Sequence, residues 1–148
     1  MRKIWRWSIV IIGALLVVLI VVHAKTVSEK EFYCDTIDTI FTSSFAQLCN
    51  NMNIEPMDLE EEGTLYEENI KYSYLCFSLF SLTSYSENDD LNKIVHALYD
   101  MSEKKVLYEN LNPLTAENLN RLCLNMNDKD LAESVCHLLF DEEGEQLW

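Results

Sequence analysis

A chain of 148 residues with 25 acidic and 11 basic side chains carries a formal charge of −14. Such a surface repels phosphate backbones and anionic lipid head groups, which excludes nucleic acid as a partner and favours a basic protein. Only three glycines are present, Gly13, Gly63 and Gly144, which leaves little backbone for cradling a phosphate.

The chain opens with Arg2, Lys3 and Arg6, followed by a run without formal charge from Trp7 to Ala24 that centres on SIVIIGALLVVLIVV. Eighteen residues at about 1.5 Å each span roughly 27 Å, close to a hydrocarbon core of about 30 Å. Trp7, Ile11, Leu15, Leu19 and Val22 are the candidate membrane-facing residues. The basic cluster stays on the cytoplasmic side, which exports everything after it to the periplasm or cell exterior. Residues 1–24 are therefore either a retained signal anchor or a cleavable signal peptide. In the second case Val22-His23-Ala24 is the small-residue cleavage site and the protein is secreted. The part beyond residue 24 keeps eight basic and all 25 acidic side chains, a formal −17.

Residues 25–31 form a short polar stalk or the start of a helix, and 32–140 the extracytoplasmic domain. Cys34, Ile37, Phe41, Leu48, Cys49 and Met52 recur at helical spacing, which predicts an amphipathic helix over 32–53 stopped by Pro56. The acidic stretch around Glu60, Glu61 and Glu62 is expected to be a solvated connector turning at Gly63, or the start of the next helix. The same carboxylates are candidate partner-binding residues. From Asn69 to Tyr85 apolar and aromatic residues cover most of the circumference, which predicts a central, buried helix. A partner-binding face made by its aromatics is the competing reading.

Ser86 or Asn88 caps a third helix, whose stripe is Leu91, Ile94, Val95, Leu98 and Met101. His96 falls on its polar flank. Thr115 is expected to cap a fourth helix, with Leu114 and Leu119 as a hydrophobic staple. Its buried stripe is Leu119, Leu122, Cys123 and Met126. Asn127 or Asp128 caps the last helix, which buries Leu131, Val135, Leu138 and Leu139. The tail, 141–148, is acidic and ends in Trp148, a candidate partner anchor. The predicted fold is all-α, a small bundle of about five helices.

Cys34, Cys49, Cys76, Cys123 and Cys136 all follow the apolar run, where an oxidising compartment permits disulfides. The segment Leu48-Cys49-Asn50-Asn51-Met52-Asn53 is echoed by Leu122-Cys123-Leu124-Asn125-Met126-Asn127, and each is followed by Cys-x-x-Leu-Phe. A duplicated helical hairpin would give disulfides Cys49–Cys76 and Cys123–Cys136 and leave Cys34 over; connectivity does not follow from spacing. No CxxC, zinc-ligand spacing, nucleophile motif, P-loop or dinucleotide turn occurs, so no metal, cofactor or catalytic set is expected. Export, small size and acidity together suggest an extracytoplasmic binding protein, such as an immunity or inhibitor protein neutralising a basic toxin or lytic enzyme. A structural or assembly subunit of an envelope complex and a secreted effector are the other readings.

Overall fold

A computed structural model describes residues 2–54, 57–104, 113–141 and 147; side chains of residues 2–15 and 17 are outside that description. Five α-helices and one short 3₁₀ turn make up the regular structure of the described residues: α1 (Arg2–Asn51), α2 (Leu59–Leu79), the turn Phe80–Leu82, α3 (Asp89–Glu103), α4 (Pro113–Leu124) and α5 (Lys129–Leu139). No strand occurs among them. The all-α class is that expected from the sequence. The chain divides after Thr36 into two units.

The first unit is helical from Arg2 onward, without a break at residues 25–31. Lys25 pairs with Glu29 at 3.7 Å one turn apart, as an exposed helical ion pair does. Leu16, Val18, Leu19, Ile20, Val21 and Val22 are all exposed. Among the described residues no helix is long and apolar enough to cross a membrane. Most of the Trp7–Ala24 run, including the side chains of Trp7, Ile11 and Leu15, lies outside the described residues.

The second unit is built on one apolar core. Phe41, Phe45 and Leu48 of α1 are completely buried, four and three residues apart. They present one face, as the periodicity predicts. Phe41 lies against three rings, Phe45 at 6.0 Å, Phe80 at 5.9 Å and Tyr85 at 5.9 Å between centroids. These are the separations at which aromatic quadrupoles attract. Ser84 donates its backbone N–H to Asp38 Oδ1 at 2.8 Å at the same junction, and at the other end of the α1–α2 contact Asn51 Nδ2 donates to Glu68 Oε2 at 3.3 Å.

The acidic stretch turns out to open α2. Asp58 Oδ1 accepts the N–H groups of Glu60 and Glu61 at 3.1 and 2.9 Å. Glu60, Glu61 and Glu62 occupy the first turn, where the helix dipole favours negative charge. Gly63 lies inside the helix with nothing within 4 Å of a Cβ placed on it, so no turn forms there. The helix continues to Leu79 and tightens into Phe80–Leu82, which Thr83 ends by donating its hydroxyl to Phe80 O at 2.7 Å.

α3 and α5 begin where the sequence places their caps. Asn88 Oδ1 accepts from Leu91 N at 3.1 Å, and Asp128 Oδ1 from Leu131 N at 3.0 Å. The α3 stripe Leu91, Ile94, Val95, Leu98 and Met101 is at most 1% exposed. α3 packs against α2 and α5, and α4 against α5. α4 differs from expectation at its start. It begins at Pro113, whose fixed φ suits a first helical position. Thr115 is therefore buried inside the first turn instead of capping it, and Leu114 is exposed, so it does not staple onto the buried Leu119.

Replacing Phe41 with Ala removes the ring on which α1, the end of α2 and Tyr85 converge. The expected loss is about 3–5 kcal/mol, a large share of the roughly 5–15 kcal/mol of a typical domain. Urea unfolding followed by circular dichroism measures it; a loss under about 1 kcal/mol contradicts the central placement of this ring.

Candidate functional site

The predicted central helix, α2, is buried along only one edge. Its buried residues are Leu65, Asn69, Ser73 and Cys76, with Phe80 following in the 3₁₀ turn. Two of these five are small polar side chains. The large rings stand on the other side: Tyr74 is 55% exposed and Phe77 37%. The expectation of burial all round is thus corrected. Helix α3 packs against α2, yet Tyr74 and Phe77 keep exposed surface beside it.

These rings continue across to α3. Phe77 stacks on Tyr99 at 4.8 Å with planes 18° apart, and meets His96 edge-on at 4.8 Å. Tyr74 lies 6.3 Å from Tyr99. Tyr99 donates its hydroxyl to Glu103 Oε1 at 2.6 Å, and Tyr66 donates to Glu103 O at 3.3 Å. The hydrogen bond to Glu103 raises the Tyr99 phenol above its ordinary pKa, with desolvation and the Glu103 charge acting the same way. Desolvation followed by the Glu103 charge raises Tyr66 as well. Both phenols therefore stay neutral donors across the physiological range. On α2, Glu62, Tyr66, Ile70, Tyr74 and Phe77 follow at spacings of four, four, four and three, which puts the acidic first turn and the rings on one face. Glu60 and Glu62 are exposed, while Glu61 accepts Met57 N at 2.7 Å. Trp148, the other candidate anchor, lies outside the described residues.

The five cysteines are all free thiols. The thiols of Cys49, near the end of α1, and Cys123, near the end of α4, act on one another electrostatically. Cys76 lies within electrostatic reach of both. Cys136 stands elsewhere, donating to Asp90 O at 3.2 Å. Cys49, Cys76 and Cys123 thus share one electrostatic neighbourhood, and Cys136 has another, with Asp90 and Lys93. The neighbouring Cys49 thiol lowers the Cys123 thiol against the opposing effect of burial. The Cys123 thiol, with burial added, holds Cys49 well above its ordinary value. Burial foremost pushes Cys76 and Cys136 up to about 12.

An open depression of about 500 Å³ is lined by Asp90, Lys93, Glu133, Cys136, His137, Phe140 and Asp141. Lys93 Nζ contacts Asp90 Oδ1 at 3.1 Å, and His137 Nε2 lies 3.8 Å from Glu133 Oε1. A thiol with a pKa near 12 is no nucleophile at neutral pH. Adjacent helical residues such as Cys136 and His137 also point about 100° apart, which keeps them from acting as a dyad. Among the described residues no group of three or more His, Cys, Asp or Glu side chains is arranged to hold a metal ion. No family model, curated protein or solved structure matches the chain.

The thiol environments predict a graded reactivity. Cys34 and Cys123, both half-buried, are expected to react with a thiol reagent in the native protein at about pH 8, and Cys49, Cys76 and Cys136 only on denaturation. The raised pKa values also fix a sign. The unfolded chain loses its Cys76 and Cys136 protons near 9 and the folded one near 12, so stability falls as pH rises through that window. Denaturant midpoints across alkaline pH check the sign, and timed alkylation with peptide mapping checks the order. Rapid native labelling of Cys76 would contradict its placement.

Proposed function

We propose that the chain is a small acidic binding protein that docks a basic protein partner on the α2–α3 face formed by Tyr66, Tyr74, Phe77, His96 and Tyr99. One observation carries the reading: α2 buries Asn69 and Ser73 while it leaves Tyr74 and Phe77 exposed. Folding alone favours the opposite, because each ring offers far more apolar area to the core than a serine does. An exposed, mutually stacked aromatic group has the composition of an interface centre, where such rings dominate binding energy. Glu103 beside it and Glu62 a turn from Tyr66 suit a lysine- or arginine-bearing surface. The rings themselves attract those cations, by about 0.5–2 kcal/mol each. The formal −17 beyond residue 24 speeds encounter with such a partner. We place no catalytic role on the chain.

The partner class proposed is a basic toxin or lytic enzyme, which makes the chain an immunity or inhibitor protein in the envelope. The apolar run supports membrane attachment with the acidic part outside the cytoplasm. Bare Val18–Val22 side chains on α1 are a surface that lipid would cover. That attachment also suits an assembly subunit of an envelope complex.

A photo-crosslinker at Phe77 is expected to capture the partner in cells, whereas one at Ser134, on α5, is not. Tyr74→Ala and Phe77→Ala are each expected to weaken the complex by about 10- to 50-fold. Raising salt from about 50 to about 500 mM should slow association. A partner whose affinity survives both variants, or one with an acidic surface, contradicts the docking face. For topology, alkylation of Cys34 in intact cells by a membrane-impermeant maleimide is expected; protection of Cys34 until lysis contradicts export.

A further inference from the structure

On the α2–α3 face, rings and a carboxylate are held together. Phe77 stacks on Tyr99 at 4.8 Å with planes 18° apart. Tyr74 stands 6.3 Å from the same Tyr99 ring, inclined to it by 51°. Tyr74 is 55% exposed, so much of its ring is open to a ligand. The hydroxyl end of Tyr99 is tied to Glu103 Oε1 at 2.6 Å, which fixes an exposed carboxylate next to the rings. Tyr66 holds the same residue by its backbone, donating to Glu103 O at 3.3 Å.

No cation of the chain already fills this place. Among the described residues the ion pairs are Lys25 with Glu29, Lys93 with Asp90 and His137 with Glu133, and none involves Glu103. Lys71, the one basic residue of α2, lies 5.2 Å from the centroid of the Tyr72 ring. That contact seats a cation on a tyrosine of the same helix and leaves Tyr74 uncovered. His96, the other titratable group in contact with the rings, meets Phe77 edge-on and not Tyr74.

We infer that Tyr74, Tyr99 and Glu103 form a receptor for a single arginine side chain of the basic partner, with Phe77 backing the Tyr99 ring. The inference rests on the docking face proposed above and names its anchor. A guanidinium is recognised by an aromatic face together with a hydrogen-bond acceptor at its edge. Cation–π attraction extends to about 6 Å from a ring centroid. The Tyr74 and Tyr99 centroids are 6.3 Å apart, so one planar cation reaches both rings. Its N–H groups then meet Glu103, whose second carboxylate oxygen has no hydrogen-bond partner among the described residues. Hydrogen bonds between ionised partners are about twice as strong as neutral ones. A lysine ammonium suits the place less well, because it is compact, strongly hydrated and does not stack. A quaternary ammonium lies well over rings but has no N–H to give Glu103. The site thus favours guanidinium over both.

The test uses the full chain in a nonionic detergent, with carbon-13 in its Tyr and Phe rings. It is titrated at low salt with acetyl-Gly-Gly-Arg-Gly-Gly-amide, and in parallel with the lysine counterpart and with tetramethylammonium chloride. The arginine peptide is expected to shift the ring resonances of Tyr74, Phe77 and Tyr99 with a millimolar dissociation constant, about fivefold below those of the other two probes. Glu103→Gln keeps an oxygen for the Tyr99 hydroxyl and is expected to weaken the arginine peptide about fivefold to tenfold. Tyr74→Leu keeps apolar bulk and is expected to weaken it about as much. Both positions are exposed, and unchanged circular dichroism verifies the fold. Equal affinity for the arginine and lysine peptides, tighter binding of tetramethylammonium, an unaltered affinity in folded Glu103→Gln, or no shift at these rings overturns the inference. The titration contains no partner, so its failure is distinct from loss of the Phe77 crosslink, which overturns the docking face.

Discussion

The second unit depends on the placement of one ring. Phe41 is completely buried and lies about 6 Å from Phe45, Phe80 and Tyr85, so it fixes where α1, the end of α2 and the approach to α3 meet. The polar groups around it are arranged to allow this. Thr83 satisfies its own hydroxyl on Phe80 O, and Asp38 accepts the Ser84 N–H. A backbone that ends a helix beside a hydrophobic core must satisfy its amides locally or lose about 1–3 kcal/mol for each one stranded. Burial against Phe41 with Asp38 nearby also raises the Tyr85 phenol.

This placement sets the roll of α2. With Phe80 held under Phe41, positions three to four residues back along the helix, Cys76, Ser73, Asn69 and Leu65, share the inward edge. Tyr74 and Phe77 are offset from that edge by one or two residues, and α3 provides no second wall to cover them. The exposed aromatic face is therefore a consequence of where the helix is anchored. Stacking of Phe77 on Tyr99 hides part of the apolar area and orders the rings. In the docking proposed for this face, preorganisation of that kind would lower the side-chain entropy lost on binding.

How far this was legible in the sequence varies by element. The caps of α3 and α5 and the stripe of α3 were legible, because Asn88 and Asp128 stand directly ahead of periodic apolar positions; in α5 Val135 and Leu139 are buried as expected, but Ala132 and Cys136 are buried in place of the half-buried Leu131 and Leu138. The start of α2 was not. Three consecutive glutamates read equally as solvated loop or first helical turn, and Gly63 tipped the balance toward a turn that its open surroundings do not require. Nor could the aromatic face be read, since a helix apolar on most sides has no periodicity to say which side is inward. The signal that was available is the polar series Asn69 and Ser73 in register with Cys76, which marks the edge where small groups suffice. At α4, Thr115 looked like a cap because its hydroxyl stands between Leu114 and Leu119, placed as a staple, but Pro113 opens a helix at least as well and lies two residues earlier.

Apart from Cys34, the cysteines sit at or near helix ends, where repeat logic says little about which of them become neighbours. An internal echo suggests that each copy closes on itself, yet each copy's two cysteines end different helices, and the ends of successive helices need not meet. The end of α1 and the end of α4 instead come to the same region of the core, each bringing a buried leucine with its cysteine, Leu48 beside Cys49 and Leu122 beside Cys123. Burial raises the Cys76 and Cys136 thiols far enough to leave them inert at neutral pH.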